Sequence, residues 1–352
     1  MEGKYIYGII TGNDEYTVDI NSLGNSNRVY TIGYQGLSCL LSDYHGIEFS
    51  RMPKGRIVRS LLGHELVVEY VMKEHNVLPV KFGTVLDTSA EVRNLLVQGY
   101  SQFVDILAQT RGKVEVEVAA TWDTARVLQE ISKEEDIVMT KKAIACKAEQ
   151  QTLSDHIRLG QMVKASMDRR RDSYQEQMID ILKTMAIDVQ TNVLVSDQMV
   201  MNVAFLIEKS NQEQFDRSVR QLNGLFRNEI DFRIIGPLPP YSFAMVEITK
   251  LNPEKLKEAR QLLQLGETFS EPDVRSAYRH LAARTHPDCN PDDQSAKKRF
   301  TELRQASDLL IFYSRGEGEV KSNLLINIRR ARDEEGEHLH FAAGVLSGVS
   351  DG

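Results

Sequence analysis

The sequence predicts an α+β protein with two ferredoxin-like α+β units connected by long helices, followed by a small all-α helical hairpin module. Three observations predict this class. Short β-branched and aromatic runs alternate with turn residues near the start of the chain and again after residue 189. Residues 124–188 between them are highly charged, with apolar side chains at helical spacing. Residues 251–315 contain closely spaced amphipathic segments of helical period.

The first unit is expected over residues 1–123. Its strands are rich in Tyr, Ile and Val and are separated by Gly, Asn and Ser. In residues 113–119, valines alternate with Glu115 and Glu117, which is the period of a half-buried strand. The expected elements are strands at 4–10 and 28–43, a helix at 57–75, a strand and turn at 77–86, a helix at 90–110 and a strand at 113–119.

A helical connector over residues 124–188 and a second unit over 189–250 follow. Apolar residues line one side of the connector helices, and we expect a break near Gly160. The order strand, strand, helix, strand, strand in the second unit is part of a ferredoxin-like sheet. Its expected elements are strands at 189–195 and 199–208, a helix at 211–226, and strands at 230–235 and 242–249.

Composition excludes several classes of protein. The 352 residues suggest two or three domains, and 43 Lys and Arg against 50 Asp and Glu give a net charge of −7. This mild acidity argues against a dedicated nucleic-acid binder. The run Arg169–Arg171, between Asp168 and Asp172, is interpreted as a solvated helix face.

Metal, membrane and export signals are weak. The three cysteines are far apart and have no zinc-ligand spacing, and His338 and His340 lie in a charged tail, residues 316–352, so we expect no metal and no cofactor. The start of the chain does not resemble a signal peptide, and no stretch approaches eighteen apolar residues. We therefore expect a cytoplasmic protein that does not enter the membrane.

The strongest pattern is the helical module at 251–315. Ser270 and Asp273 have the spacing of a helix cap. The following helix places its apolar side chains on one half and its basic side chains on the other. The apolar half is Val274, Ala277, Tyr278, Leu281 and Ala282, and the basic half is Arg275, Arg279, His280 and Arg284. We expect a partner helix at 293–313 and a shorter helix at 254–265.

The turn between the two longer helices contains His286-Pro287-Asp288. Together with Tyr278-Arg279-His280-Leu281-Ala282, Asn290-Pro291, Phe300 and Leu303, it resembles the J domain of DnaJ-type co-chaperones over residues 251–314. The resemblance implies that a DnaK-type heat-shock ATPase is bound by His286, Pro287, Asp288, Arg275, Arg279 and Arg284, and that its ATP hydrolysis is promoted. Cys289 stands where a basic residue is usual. The CxxC zinc motifs of a general-purpose DnaJ are absent, which indicates a J module fused to a specialised adaptor.

The region before the J module also resembles a known family. The resemblance rests on three motifs. They are Leu78-Pro79-Val80-Lys81-Phe82-Gly83-Thr84, Arg111-Gly112-Lys113-Val114-Glu115, and Gly236-Pro237-Leu238-Pro239-Pro240-Tyr241-Ser242-Phe243. In order and spacing they resemble gas vesicle proteins of the F/L type over residues 4–246. We interpret the first motif as a core strand ending in a glycine turn, and the last as a rigid entry into a strand.

The two resemblances together imply a gas vesicle assembly accessory protein. It is expected to bind the small apolar shell protein and to recruit a DnaK-type chaperone through its J module, at nascent vesicles or on their surface. Contact with other gas vesicle accessory proteins is left open. The alternative is a minor structural component of the shell, whose J module is incidental or regulatory. Walker, GxSxG and HExxH motifs are absent, as is a GxGxxG that opens a helix, so we expect no catalytic residues and no enzyme.

Overall fold

The computed structural model describes residues 2–12, 17–18, 28–47, 49–146, 153–226, 229–250, 253–285, 296–315 and 324–330. The chain forms two compact units. The first combines residues 1–109 with residues 244–329, and the second contains residues 110–243. The chain therefore leaves the first unit, builds the second and returns.

The first unit is built on an antiparallel sheet ordered β2-β3-β4-β1-β5, with β6 also paired to β1. Strand β1 lies inside this sheet, and its residues from Tyr5 to Ile10 are buried. The strands are β1 (Glu2–Thr11), β2 (Thr17–Val18), β3 (Val29–Tyr34), β4 (Leu37–His45), β5 (Val77–Pro79) and β6 (Val85–Leu86).

Three helices accompany this sheet: α1 (Lys54–Val71), α2 (Ser89–Gln98) and α3 (Tyr100–Thr110). Leu95, Leu96 and Phe103 join the apolar core of the sheet. The single helix predicted at 90–110 is wrong, because it is divided at Gly99. The Phe103 ring occupies the space that a Cβ on Gly99 would need, so a glycine permits the close turn between α2 and α3.

The second unit has the strand order of a ferredoxin-like sheet, β10-β7-β9-β8, with every neighbouring pair antiparallel. Within the described ranges, three α-helices lie between β7 and β8 in the chain, and one between β9 and β10. The predicted α+β class is thus confirmed. The elements are β7 (Lys113–Trp122), α4 (Thr124–Ile131), α5 (Glu135–Ala145), α6 (Leu153–Leu182), β8 (Asp188–Thr191), β9 (Met199–Glu208), α7 (Gln212–Leu225) and β10 (Ile230–Leu238).

The structure divides the chain differently from the predicted boundaries. Strand β7, assigned to residues 1–123 from the sequence, is the first strand of the second sheet. The helices at 124–182 are a crossover within that unit rather than a connector between two units. The break expected near Gly160 is also wrong: α6 runs through it, and a Cβ there would meet nothing within 4 Å. A lone glycine on an open helix surface costs only about 1 kcal/mol.

Strand β11 (Ala244–Lys250), predicted within the second unit, belongs to the first. The backbone N–H of Lys81 donates to the Val246 carbonyl at 2.8 Å, and Val80 and Val246 form a parallel bridge. Period-two alternation predicts a strand but does not specify its partner, which explains both misplaced strands.

The J module follows β11 and consists of α8 (Pro253–Leu262), α9 (Glu271–Thr285) and α10 (Ala296–Arg315). Its own core is formed by Ala259, Leu263, Val274, Leu303, Ala306 and Leu310. Strand β12 (Leu324–Arg330), predicted as part of a tail, pairs with β11 and buries Leu324 in the core of the first unit. The J module is therefore inserted between two paired strands.

Candidate chaperone-docking face and family motifs

Helix α9 has the two faces that its sequence predicts. Arg275, Arg279, His280 and Arg284 are exposed. On the other side Val274 is fully buried, and the ring of Tyr278 lies 6.5 Å from that of Phe300 on α10. Burial of the apolar half against α10 leaves the basic half in solvent, where it is accessible to a partner.

The start of α9 is fixed by a cap. The backbone N–H and the hydroxyl of Ser270 both donate to Asp273 Oδ2, at 2.9 and 2.6 Å, and these bonds lower the pKa of Asp273. One turn later Arg275 Nε donates to Glu271 Oε1 at 2.7 Å, and Arg279 Nε donates to the Arg275 carbonyl at 3.3 Å. The guanidinium groups of Arg275 and Arg279 are thus oriented along one side of the helix.

The tripeptide His286-Pro287-Asp288 lies outside the described residues, as do His338 and His340. Helix α9 ends at Thr285 and α10 begins at Ala296, so the tripeptide belongs to the connection between them. Its contact with a DnaK-type ATPase stays a prediction, as does that of the three arginines.

The first family motif forms a turn against an aromatic cluster. Gly83 has φ +85°, a conformation that favours glycine, and its N–H donates to the Tyr5 hydroxyl at 3.3 Å. Thr84 Oγ1 closes the turn onto the Lys81 carbonyl at 2.6 Å. The aromatic cluster consists of Tyr5, Tyr7, Tyr44, Phe49, His64 and Phe82. The motif is structural in its contacts, as interpreted from the sequence.

His64 is the polar member of this cluster. Its Nδ1 lies 2.8 Å from the Tyr5 hydroxyl, and its ring stacks on Tyr7 with centroids 5.4 Å apart. Burial lowers the pKa of His64 to about 3, with the Val80 backbone as a smaller opposing influence. Such a histidine is neutral at pH 7 and fills a core position.

The last family motif begins in β10, which pairs with β7, and continues into the loop before β11. Gly236 has φ +139°, and a Cβ there would come 2.9 Å from the Glu115 carbonyl oxygen. At the other end of the motif, the Ser242 N–H donates to Glu115 Oε2 and its hydroxyl donates to Oε1, both at 2.7 Å. The loop is therefore held by the backbone of β7 at one end and by a carboxyl group at the other.

Glu115 and Glu117 are buried, although their alternation predicts a half-buried strand with an outward polar face. Burial raises the pKa of Glu115 to about 8, the charge of Glu117 adds to the rise, and the two Ser242 bonds oppose it. Burial also raises the pKa of Glu117. Sequence reasoning missed this buried acidic pair, because alternating glutamates are the normal pattern of an exposed strand face.

Two arginines of the run at 169–171 form contacts with other side chains of the protein. Arg170 pairs with Glu130 at 2.6 Å. Arg171 pairs with Asp168 at 3.0 Å and lies over the Trp122 ring at 5.6 Å. Arg169 is exposed. The run thus ties α6 to its surroundings more than the predicted solvated face suggests.

A cleft of about 520 Å³ lies in the first unit. It is bordered by residues 81–86 of the first family motif and the strand after it, by residues 247–250 of β11, and by Asp308 and Leu309 of the J module. Lys81 pairs with Glu247 at 3.0 Å, and Lys250 pairs with Glu91 at 3.2 Å. Family-motif residues and the J module thus line one cleft.

Among the described residues, no group of three or more His, Cys, Asp or Glu side chains is placed to hold a metal ion. None of the helices in the described ranges is both long enough and apolar enough to cross a membrane.

Comparison with known proteins supports both resemblances. Residues 3–245 match the family model of the gas vesicle synthesis protein GvpL/GvpF, and residues 260–314 match that of the DnaJ domain. Gas vesicle protein F of Nostoc sp. PCC 7120 is 27% identical over 248 residues, which cover 69% of this chain and 98% of that protein. The chaperone protein DnaJ of Acidithiobacillus ferrooxidans is 42% identical over 50 residues, 14% of this chain and 13% of that protein.

Solved structures of gas vesicle proteins also resemble this chain. The crystal structure of the gas vesicle protein GvpF from Anabaena sp. PCC7120 superposes with a TM-score of 0.59 at 25% identity, covering 68% of this chain and 97% of that one. That of GvpF from Microcystis aeruginosa gives a TM-score of 0.56 with the same identity and coverage. The chain therefore belongs to the gas vesicle synthesis protein GvpL/GvpF family and carries a DnaJ domain after the family region.

Proposed function

We propose that this protein assists gas vesicle assembly by binding the small apolar shell protein through its family region and recruiting a DnaK-type ATPase through its J module. The observation that carries the proposal is the exposed basic face of α9, in a module whose flanking strands β11 and β12 join the first unit, which also contains residues 1–109 of the family region. The protein would act in the cytoplasm, at nascent vesicles or on their surface.

The physical chemistry of such a client supports this role. A shell subunit with exposed apolar surface aggregates unless that surface is covered until assembly. An adaptor that holds the subunit beside a J module raises the local concentration of the chaperone at that subunit. The three arginines of α9 would steer an acidic surface of the ATPase toward the module, with a strength that falls as salt rises.

The geometry of the first unit supports coupling between the two activities. The cleft that borders the first family motif also borders Asp308 and Leu309 of α10. A client segment bound beside the motif would therefore lie next to the J module. Attachment of the module at both ends limits how far it can move from this place.

The test is single-turnover ATP hydrolysis by the host's DnaK-type chaperone. The intact protein is expected to accelerate hydrolysis, and His286→Gln and Arg279→Ala are expected to lose the acceleration. Arg220→Ala on α7 is the matched control, because it removes another exposed arginine, which lies in the second unit. Acceleration that survives His286→Gln would contradict the proposed docking.

The shell-protein half of the proposal needs a separate assay. Light scattering of the refolding shell protein should fall when the intact protein is present. Should the intact protein fail to stimulate the ATPase and remain bound to purified mature vesicles, the alternative of a minor structural component of the shell would take its place.

A further inference from the structure

Helix α1 carries an apolar stripe on its solvent side. Leu62, Leu66 and Tyr70 are spaced four residues apart, and their exposed fractions are 37%, 42% and 40%. The opposite side of the helix is buried through His64, Val67, Val68 and Val71. Residues at this spacing form one ridge along a helix, which is the surface that packs against another helix.

Two charged residues lie in the same stripe, one on each side of the pair Leu62 and Leu66. Arg59 is exposed and lies about one turn before Leu62, and Glu69 lies about one turn after Leu66. Neither side chain forms a hydrogen bond or an ion pair with the residues that the structure describes. Glu69 is half-buried, and burial raises its pKa despite the nearby charge of Lys73. Because the influence of Lys73 is smaller than that of burial, a further cation close to the Glu69 carboxylate would stabilise its charged form.

We infer that this stripe is a self-association surface, on which α1 of a second copy packs antiparallel. When two identical helices run antiparallel about a point between Leu62 and Leu66, each Leu62 faces the partner's Leu66. The same register places Arg59 opposite the partner's Glu69, and Val58 opposite the partner's Tyr70. Each favourable pair then occurs twice, as in any interface with a twofold axis.

The order of the charges selects a second copy over other occupants. Along the stripe the order is a cation, two leucines and an anion. When a second copy runs in the opposite direction, each cation therefore faces an anion and each leucine faces a leucine. An apolar client helix would bury the leucines but would offer Arg59 and Glu69 no opposite charge across the interface, which is unfavourable where the interface is desolvated. Gly55 adds room at the end of the stripe, since a Cβ there would meet nothing within 4 Å. This inference is independent of the chaperone role.

The test is sedimentation velocity of the full chain across a range of protein concentrations. A monomer–dimer equilibrium is expected, with Arg59→Glu and Glu69→Arg each raising the dissociation constant at least ~10-fold, because each places like charges opposite each other twice. The double variant restores opposite charges and is expected to return to within about 3-fold of the parent. Arg56→Glu is the control, because it reverses an exposed charge on α1 away from the stripe.

Several results would overturn the inference. They include a monomer at every concentration, or a dimer that neither single charge reversal weakens. Circular dichroism of each variant separates loss of association from loss of fold. A monomeric protein whose binding to the shell protein is lost in Leu66→Glu would make the stripe a client surface instead.

Discussion

The two sheets bury ionisable groups of opposite kinds. In the first unit a base, His64, lies among aromatic rings and stays neutral because burial disfavours its protonated form. In the second unit an acid, Glu115, lies under the loop 236–242 and stays protonated because burial disfavours its charged form. Each group contacts or supports one of the family motifs. The first and the last family motif therefore each cover a neutral polar group. The stability of the two units should respond to pH in opposite directions.

The largest expected effect is the loss of stability of the second unit as the pH rises from 5 to 8. The folded-state pKa of Glu115 is raised to about 8 from a model-compound value of 4.5, so its contribution is fully present below pH 4.5 and falls as pH rises through 8. Between pH 5 and pH 8 the free energy of unfolding should fall by roughly 3 kcal/mol. Hydrogen exchange of peptides from β7, β9 and β10, corrected for intrinsic rates, measures this fall.

Glu115→Gln is the control for that experiment. It keeps an acceptor for Ser242 and removes the titration, so the slope between pH 5 and pH 8 should flatten. An unchanged slope in this variant would assign the pH dependence to other groups.

The two motif glycines should differ in their tolerance of a side chain. Both have positive φ, but a Cβ on Gly83 would make ordinary contact with Phe49 at 3.6 Å, while a Cβ on Gly236 would meet the Glu115 carbonyl at 2.9 Å. Gly83→Ala is expected to cost about 1 kcal/mol from backbone strain alone, and Gly236→Ala about 3 kcal/mol. Denaturant unfolding followed by exchange in each unit gives the two values. Equal values would mean that the backbone of β7 moves at little cost to make room for a Cβ on Gly236.

The first unit should lose stability in acid. The folded-state pKa of His64 is lowered to about 3 from 6.5, so the unfolded chain takes up a proton that the folded unit does not. Lowering the pH from 7 to 5.5 should reduce the free energy of unfolding by about 1 kcal/mol, seen in exchange of β1 and β5 peptides. His64→Gln should abolish this dependence without affecting the second unit. Acid sensitivity that persists in the variant would point to another group.

The smallest expected difference concerns ion pairs. Arg329 on β12 lies 2.9 Å from Glu247, whose side chain is 9% exposed, while Arg126 lies 2.7 Å from Glu229, which is 24% exposed. Arg329→Ala should destabilise its unit by about 1 kcal/mol, and Arg126→Ala by about half that, since solvent screens the more exposed pair. The reverse order in urea unfolding would show that burial does not decide the strength of these pairs.

Local features of the fold could be predicted from the sequence, and long-range ones could not. The faces of α9 and the cap at Ser270 depend on residues within a few turns, so spacing predicts them. The partners of β7 and β11 depend on segments more than sixty residues away, and alternation contains no information about them. Glu115 was misjudged for the same reason, because its partner Ser242 is distant in the chain.

The insertion of the J module between β11 and β12 has a mechanical consequence. Any force applied to the module is transmitted through both of its connections, and these lead to two strands of one sheet. Such a force is divided between two neighbouring strands, whereas a module attached at one end would transmit all of it through a single connection. The core around Leu324 and the ion pair of Arg329 with Glu247 resist the displacement of β12. The first unit thus anchors the J module at two points, so a force on the module is opposed by the packing of two paired strands.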